Sequence, residues 1–289
     1  MSAAPSPAEP PSPFLSEELV VRAVERLEAA ATRLSPSTLL RDLIGQDDLA
    51  LAYAIQQRVV GKRIESGDRW VGRKVGAVPG AGRARRGARC LGSGVLLGSM
   101  QVPNDGLAYT HTFLRPRLSA ELMVHLAADL GPDPGDAEVR DAIGHVGVAL
   151  EVVDNRLRDG QATLVDAIAD NGSAAIYVLG ASVPRTDLDL DRLVVHLRED
   201  GRPVAVGHAA ASHGGPVRAL QWLASTVAGY GSPLRRGEIV LTGAAGPTVP
   251  VHAGARYEAS VRHVGTAAVT FSDPYDGPAT QGSAGNHPL

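Results

Sequence analysis

Residues Arg115–Leu126 read RPRLSAELMVHL. The run has the character of a β-strand, and residues two apart on a strand project from one face. Ser119 and Glu121 therefore point the same way, and Met123 and His125 continue that face. A Glu at both 119 and 121 would make a pair of hard oxygen ligands of the kind divalent cations take. Position 119 carries a hydroxyl instead. Either this is a metal strand that has lost one ligand, or it never held a metal.

The surrounding chain sets bounds on both readings. Its 289 residues suffice for one large domain or two modest ones. The hydrophobic fraction is 44% and aromatics are 4%, so an ordinary core must be filled by Val, Leu, Ile and Ala. A formal charge of −3 argues against a general nucleic-acid binder. The single Cys90 excludes an internal disulfide and a Cys-rich zinc site. No apolar run reaches the roughly 18–20 residues of a membrane span. The opening MSAAPSPAEPPSPF has neither the basic nor the apolar region of a secretory signal. The expectation is a soluble cytoplasmic protein that engages neither nucleic acid nor membrane.

Residues 1–14 and the tail from Pro274 are rich in Pro, Ala, Ser and Gly and are expected to be disordered, with 273–289 as the C-terminal tail. Residues 15–69 read as a helical part. Ser16 is a candidate N-cap, followed by Leu19, Ala23, Val24, Leu27 and Ala31 at helical spacing. A second helix is expected from about Asp47 to Ile64, with Leu51, Ile55 and Val59 as its stripe and Gly67 as its stop. From about residue 70 to 272 the pattern changes. Short apolar runs such as LSAELMVHL, VGVALEVVD, AAIYVLGA and EIVLTG alternate with Gly, Pro and Asp turns, as in a mostly antiparallel sheet. Helices are expected to interrupt at Asp136–Ile143, Leu164–Ala169 and Val217–Tyr230. The fold class is therefore α+β, a helical N-terminal part followed by a β-rich body.

Four segments set polar groups among apolar ones: GRKVG with Lys74, SAEL with Glu121, ALEVVDNR with Glu151 and Asp154, and IADNGSA with Asp170, Asn171 and Ser173. A carboxylate inside VGVALEVV is costly to bury unless it is paired or bound to metal. Spacing alone leaves two alternatives, satisfied core carboxylates or an acid–base or Mg²⁺-type site.

From about Leu40 to Phe271, roughly four-fifths of the chain, the sequence resembles the 2-keto-4-pentenoate hydratase and 4-oxalocrotonate decarboxylase branch of the fumarylacetoacetate hydrolase superfamily. The segments that carry the resemblance are LRDLIGQDDLALAYAIQ, VGRKVG, LRPRLSAEL, ALEVVDNRLRD, VDAIADNGSAAIYVLG and PLRRGEIVLTGAAGP, in the family's order. The resemblance implies a β-rich body of mixed β-roll or barrel type. It also implies Mg²⁺ or Mn²⁺ held by a Glu-x-Glu on one strand and a Glu on its neighbour, and a homo-oligomer. Glu121 matches the second Glu and Glu151 the third, and Ser119 falls at the first. Lys74 matches the active-site lysine, and Asn171 and Ser173 match the pocket loop.

A second departure lies after the lysine strand. Where the family has Pro-Asp-Phe-Gly this chain has CLGSG, which puts Gly92 at the pocket Asp and Ser93 at the Phe. Before it runs PGAGRARRGAR, a basic loop with Arg83, Arg85, Arg86 and Arg89 that reads as a mobile loop or lid whose Arg side chains could contact an anionic substrate. It lacks the Gly-Lys-Ser/Thr ending of a phosphate loop, and no Gly-x-Ser-x-Gly elbow occurs in the chain. His125, on the Glu121 face, and His213, in GHAAASHGGP, are further pocket candidates, as is Asp170. Arg156 and Arg158 are expected in ion pairs rather than chemistry. Cys90 lies near the expected pocket mouth.

Three functions follow from this reading. The first is a lyase that hydrates or decarboxylates a small 2-hydroxy-2,4-dienoate or 2-oxo acid with a weakly held Mg²⁺ or Mn²⁺. The second is a metal-independent isomerase, cyclase or dehydratase of a specialised pathway on the same scaffold, since fold does not fix function. The third is a non-catalytic binding protein.

Overall fold

The computed structural model describes residues 13–78, 90–158, 162–186 and 188–273. The expected N-terminal tail through residue 12, the C-terminal tail from Pro274 and the Arg83–Arg89 loop lie outside them. The chain begins with helix α1 (Pro13–Arg33), a short α2 (Arg41–Ile44) and α3 (Leu49–Glu65). Ser16 is not the cap of α1. The helix starts at Pro13, where a missing N–H does no harm, and Ser16 lies in its first turn. The buried stripe is Val20, Ala23, Val24, Leu27 and Ala30, so Ala31 faces outward. α3 starts two residues later than expected because Asp48 caps it, accepting from Leu51 N at 2.9 Å. Gly67 follows its end in the left-handed region, φ 97°.

The body opens with β1 (Trp70–Val78), β2 (Cys90–Leu97), β3 (Gln101–Val102), β4 (Gly106–Tyr109) and β5 (Arg117–Leu126). Helix α4 (Asp136–Ala142) leads into β6 (Ile143–Val153), and α5 (Leu164–Ala169) into β7 (Ala174–Pro184). Then come β8 (Val194–Glu199), β9 (Arg202–His208), α6 (Pro216–Gly229), β10 (Ile239–Ala244), β11 (Val249–Pro250), β12 (Arg256–Val261) and β13 (Gly265–Ser272). One sheet runs β2-β1-β10-β5-β6-β7-β3, with β11 beside β5, and a second runs β4-β13-β12-β8-β9. Most neighbours are antiparallel; β1–β10, β3–β7 and β4–β13 are parallel. No helix among the described residues is long and apolar enough to cross a membrane.

β5 shows why this sequence makes this body. Its even positions, Leu118, Ala120, Leu122, Val124 and Leu126, enter the main core with Tyr257 and Phe271 of the second sheet. Burying each large apolar side chain there contributes about 1.5–3 kcal/mol. Its odd positions, Ser119, Glu121 and Met123, are also buried but on the other face. There Met123 packs with Val95, Leu97 and Leu241. The helical part docks on the body beside this second face. Its stripe packs with Leu157, Val165 and Ile168, and buried Asp166 accepts from Leu40 N at 2.7 Å and Arg41 N at 3.1 Å. Thr163 and Asp166 form the capping box of α5, so one carboxylate ties two helices together.

Candidate active site

The odd face of β5 meets Lys74 of β1 and Glu151 of β6. Ser119 lies directly opposite Glu151 in the β5–β6 register. Its Oγ donates to Glu121 Oε1 at 3.0 Å and approaches the Glu151 carbonyl at 3.4 Å. The Gly243 N–H donates to Glu121 Oε2 at 2.9 Å. Lys74 Nζ lies 2.5 Å from Glu151 Oε1 and donates to Gly172 O at 2.9 Å. Lys74, Ser119, Glu121 and Glu151 are each no more than 2% exposed. Burial, and then the Glu151 charge, push the Glu121 carboxyl well above the usual carboxylate range; Lys74 and Ser119 oppose that.

The loop after α5 closes one side of this group. Asn171, Gly172 and Ser173 are three consecutive left-handed residues, φ 54°, 62° and 56°. Such backbone is strained for non-glycine residues and persists only when held. Asn171 is clamped to β2, accepting from Val95 N at 2.7 Å and donating to Val95 O at 2.9 Å. Gly94 permits this approach, because a Cβ there would overlap the Asn171 carbonyl and sit 3.1 Å from Lys74 Cγ. Ser173 Oγ donates to Asp170 Oδ2 at 3.0 Å. Asp170 is held by Arg156, with Nε 2.5 Å from Oδ1 and Nη2 donating to its carbonyl at 2.7 Å. Burial pushes the Asp170 carboxyl up, against the Arg156 charge.

The structure thus brings together Lys74, Glu121, Glu151, Ser119 and the Asn171–Ser173 loop, with Asp170 behind it. It does not bring the others to the same place. Ser93 lies on the opposite face of β2, where its hydroxyl meets Tyr53 OH at 3.2 Å; strand alternation turns it from Lys74. Gly92 is on the Lys74 face, but a side chain there would meet Val78, Leu164 and Ile168, an apolar corner under α5. His125 is two pleats beyond Glu121 and packs edge-on against His145 at 6.2 Å. His213 does approach: a Cβ on Gly243 would lie 2.6 Å from its Nε2, which places it behind the backbone that binds Glu121. Cys90 opens β2 opposite Val78 as a half-buried free thiol. Sequence reasoning missed Gly94 and Gly243, whose roles depend on close approach between distant segments.

Among the described residues no three His, Cys, Asp or Glu side chains are arranged to hold a metal ion. Two neighbouring buried carboxyl groups, with the Ser119 hydroxyl on that of Glu121, remain a partial oxygen set. A hard cation that keeps several waters fits such a set.

Residues 98–272 match the family model described as fumarylacetoacetate (FAA) hydrolase C-terminal. The chain belongs to this family. A 2-keto-4-pentenoate hydratase of Paraburkholderia phymatum is 36% identical over 257 residues, covering 86% of this chain and 98% of the relative. A 2-hydroxyhexa-2,4-dienoate hydratase of Comamonas testosteroni is 30% identical, covering 87% and 96%. Among solved structures, the 4-oxalocrotonate decarboxylase from Pseudomonas putida G7, complexed with magnesium and adipate, superimposes with a TM-score of 0.81 at 25% identity. It covers 88% of this chain and 98% of that one. The α+β body expected of a fumarylacetoacetate hydrolase relative is therefore the body observed, and the chain is an enzyme of the lyase type.

Proposed function

We propose that the protein hydrates or decarboxylates a small 2-hydroxy-2,4-dienoate or 2-oxo acid through a stabilised enolate. The observation that carries this reading is the buried convergence of Lys74, Glu121 and Glu151 beside the strained Asn171–Ser173 loop. Glu121 and Glu151 would hold Mg²⁺ or Mn²⁺, with Ser119 at the position of a missing third carboxylate. When bound, the ion supplies Lewis-acid stabilisation of negative charge on the substrate oxygens. The chain's own residues do the rest. Lys74 holds a mobile proton at Nζ between Glu151 and the Gly172 carbonyl, in reach of a dienolate. Asn171 is bound at both ends of its amide, so it orients the loop rather than the substrate. Ser173 Oγ donates to Asp170 and so braces the loop that carries the Gly172 carbonyl. Burial keeps bulk water from competing for these groups.

Exposed Val204 and Val206 on β9, an edge strand among the described residues, support a homo-oligomer as part of this proposal. One observation favours a second reading. Ser119 and the Lys74–Glu151 ion pair together leave a site in which an ammonium already balances one carboxylate, as a metal-independent isomerase, cyclase or dehydratase would use.

The test is the ultraviolet decay of 2-hydroxypenta-2,4-dienoate with purified protein, run with Mn²⁺ and with EDTA. Metal-dependent decay is the expected result. Decay that EDTA leaves unchanged selects the second reading, and folded protein without decay in either condition removes the first.

A further inference from the structure

The fumarylacetoacetate hydrolase match begins at residue 98, so it assigns no role to the helical part or to β1 and β2. Gln56 of α3 connects that part to the chemistry. Among the described residues β2 is an outer strand of the large sheet. Such a strand carries backbone groups that no neighbouring strand takes up. Here side-chain amides take them up. Asn171 holds both Val95 N and Val95 O, and two residues earlier Gln56 Nε2 donates to Ser93 O at 2.8 Å. Alternate residues of a strand turn their backbone groups to the same side, so both amides lie along one edge of β2.

The same Gln56 nitrogen donates to Ile168 O, also at 2.8 Å. Ile168 is in the last turn of α5, where helix carbonyls have no partner within the helix. Both partners are carbonyl oxygens, so the amide can present only its NH₂ to them. Gln56 is 3% exposed, and water does not compete for these bonds. Tyr53, one turn earlier on the same face of α3, meets Ser93 Oγ with its OH at 3.2 Å. Its ring stacks on Tyr230, with centroids 4.0 Å apart. α3 therefore grips Ser93 by backbone and by side chain, and the end of α5 with it.

The loop that carries the Gly172 carbonyl is held between these two anchored segments. Only Ala169 and Asp170 separate Ile168 from Asn171, and only Gly94 separates Ser93 from Val95. A shift of the end of α5 against β2 reaches the loop within three residues. Gly172 O in turn accepts from Lys74 Nζ. One nitrogen bound to both Ser93 O and Ile168 O resists that shift.

We propose that Gln56 is a positioning residue of the active site. It sets α5 against β2 so that the left-handed Asn171–Ser173 backbone keeps the Gly172 carbonyl on Lys74. The helical part is thereby a working element of the site. The consequence for turnover rests on the proposed function; the consequence for the loop does not.

Gln56→Met keeps nearly the length of the side chain and removes both bonds. Hydrogen exchange of the full chain without substrate, followed by mass spectrometry, reads the loop directly. The expected result is exchange faster by about tenfold or more in peptides spanning residues 168–175, with β12 and β13 unchanged. With the dienoate and Mn²⁺, kcat should fall by about tenfold or more while KM stays within about threefold, because Glu121 and Glu151 keep their places. Gln56→Glu keeps the shape and replaces the NH₂ donor with a carboxylate oxygen, so it should loosen the loop in the same way and serves if the Met variant does not fold. Asp48→Ala, which removes the exposed cap of the same helix, controls for lost stability. Compared equally far below its melting temperature, it should leave loop exchange and kcat near those of the parent. The proposal is overturned if loop exchange in the Gln56 variants matches the parent, or if Asp48→Ala loosens the loop and lowers kcat to the same extent. It is equally overturned if KM rises while kcat holds. Exchange needs no substrate, so a parent inert toward the dienoate removes the proposed function and leaves the exchange result to decide the positioning.

Discussion

Lys74 Nζ and Glu151 Oε1 lie 2.5 Å apart although their strands, β1 and β6, are three places apart in the sheet. Strands are spaced by about 4.8 Å, so in a flat sheet these two backbones would be roughly 14 Å apart. The reach of the two side chains and the curl of the large sheet close that gap around Glu121, which lies on β5, one of the two strands between them. The ion pair is thus a property of the whole body rather than of any local motif.

Replacing Lys74 with Met tests both the chemistry and the burial. Glu151 would be left in the interior without its cation, at a destabilisation of about 3–5 kcal/mol unless it takes up a proton. Dienoate turnover should fall by about 10²–10⁴-fold, as for loss of a proton-transfer group. A thermal melt and initial rates on the same preparation separate the two effects. Turnover within a factor of a few of the parent would remove Lys74 from the mechanism.

Ser119→Glu restores the carboxylate that the β5 pattern lacks. Position 119 is 2% exposed and directly opposite Glu151, so the new charge would enter the same buried group. Without metal the protein should melt lower, because a third buried carboxylate repels two others. With Mn²⁺ the order should reverse, and calorimetry should show binding tighter by about 10²-fold, the scale of one buried charged ligand. Unchanged Mn²⁺ binding would mean that β5 does not face a metal.

How far this site could be read from sequence depends on the kind of interaction. Glu121, Glu151 and Lys74 were legible because each sits in a short apolar run where a charge has to be accounted for. Pocket candidates chosen by position along the chain fared worse. Ser93 is one residue from the Lys74 face, and a single step on a strand reverses it. His125 has the correct parity but is too far along β5. The cap at Ser16 failed because Pro13 is an acceptable first helical residue. Gly94, Gly243, Gln56 and the Arg156–Asp170 clamp depend on segments that meet only in three dimensions, and no local pattern announces them.

The Arg156–Asp170 clamp yields a pH prediction. The Asp170 carboxyl is raised in the folded protein by burial, with Arg156 opposing. A carboxyl raised on folding stabilises fully below its unfolded value of about 3.9, and that contribution is lost as pH rises through the folded value. Arg156→Met removes the opposing charge. Its stability deficit should therefore be small near pH 4 and grow toward neutrality, to about 3–5 kcal/mol if Asp170 ionises unpaired. Urea melts of parent and variant between pH 4 and 8 measure this, and a deficit independent of pH would exclude Asp170 as its source. Arg156→Lys should recover part of the stability.

Gly94→Ala places the smallest side chain between Lys74 and the loop. The added Cβ overlaps the Asn171 carbonyl oxygen, and backbone cannot rotate away as a flexible side chain can. Either β2 or the loop must move, at about 1–3 kcal/mol for overpacking of this kind. The loop is the weaker partner, since its three left-handed residues are held by individual contacts to Val95, Lys74, Asp154 and Asp170 rather than by a strand ladder. The Gly172 carbonyl would then withdraw from Lys74, and turnover should fall by far more than the change in melting temperature accounts for. Gly131→Ala, in open space, is the matched control and should leave turnover unchanged. Equal effects of the two substitutions on turnover would mean that the loop's position against β2 does not matter to the chemistry.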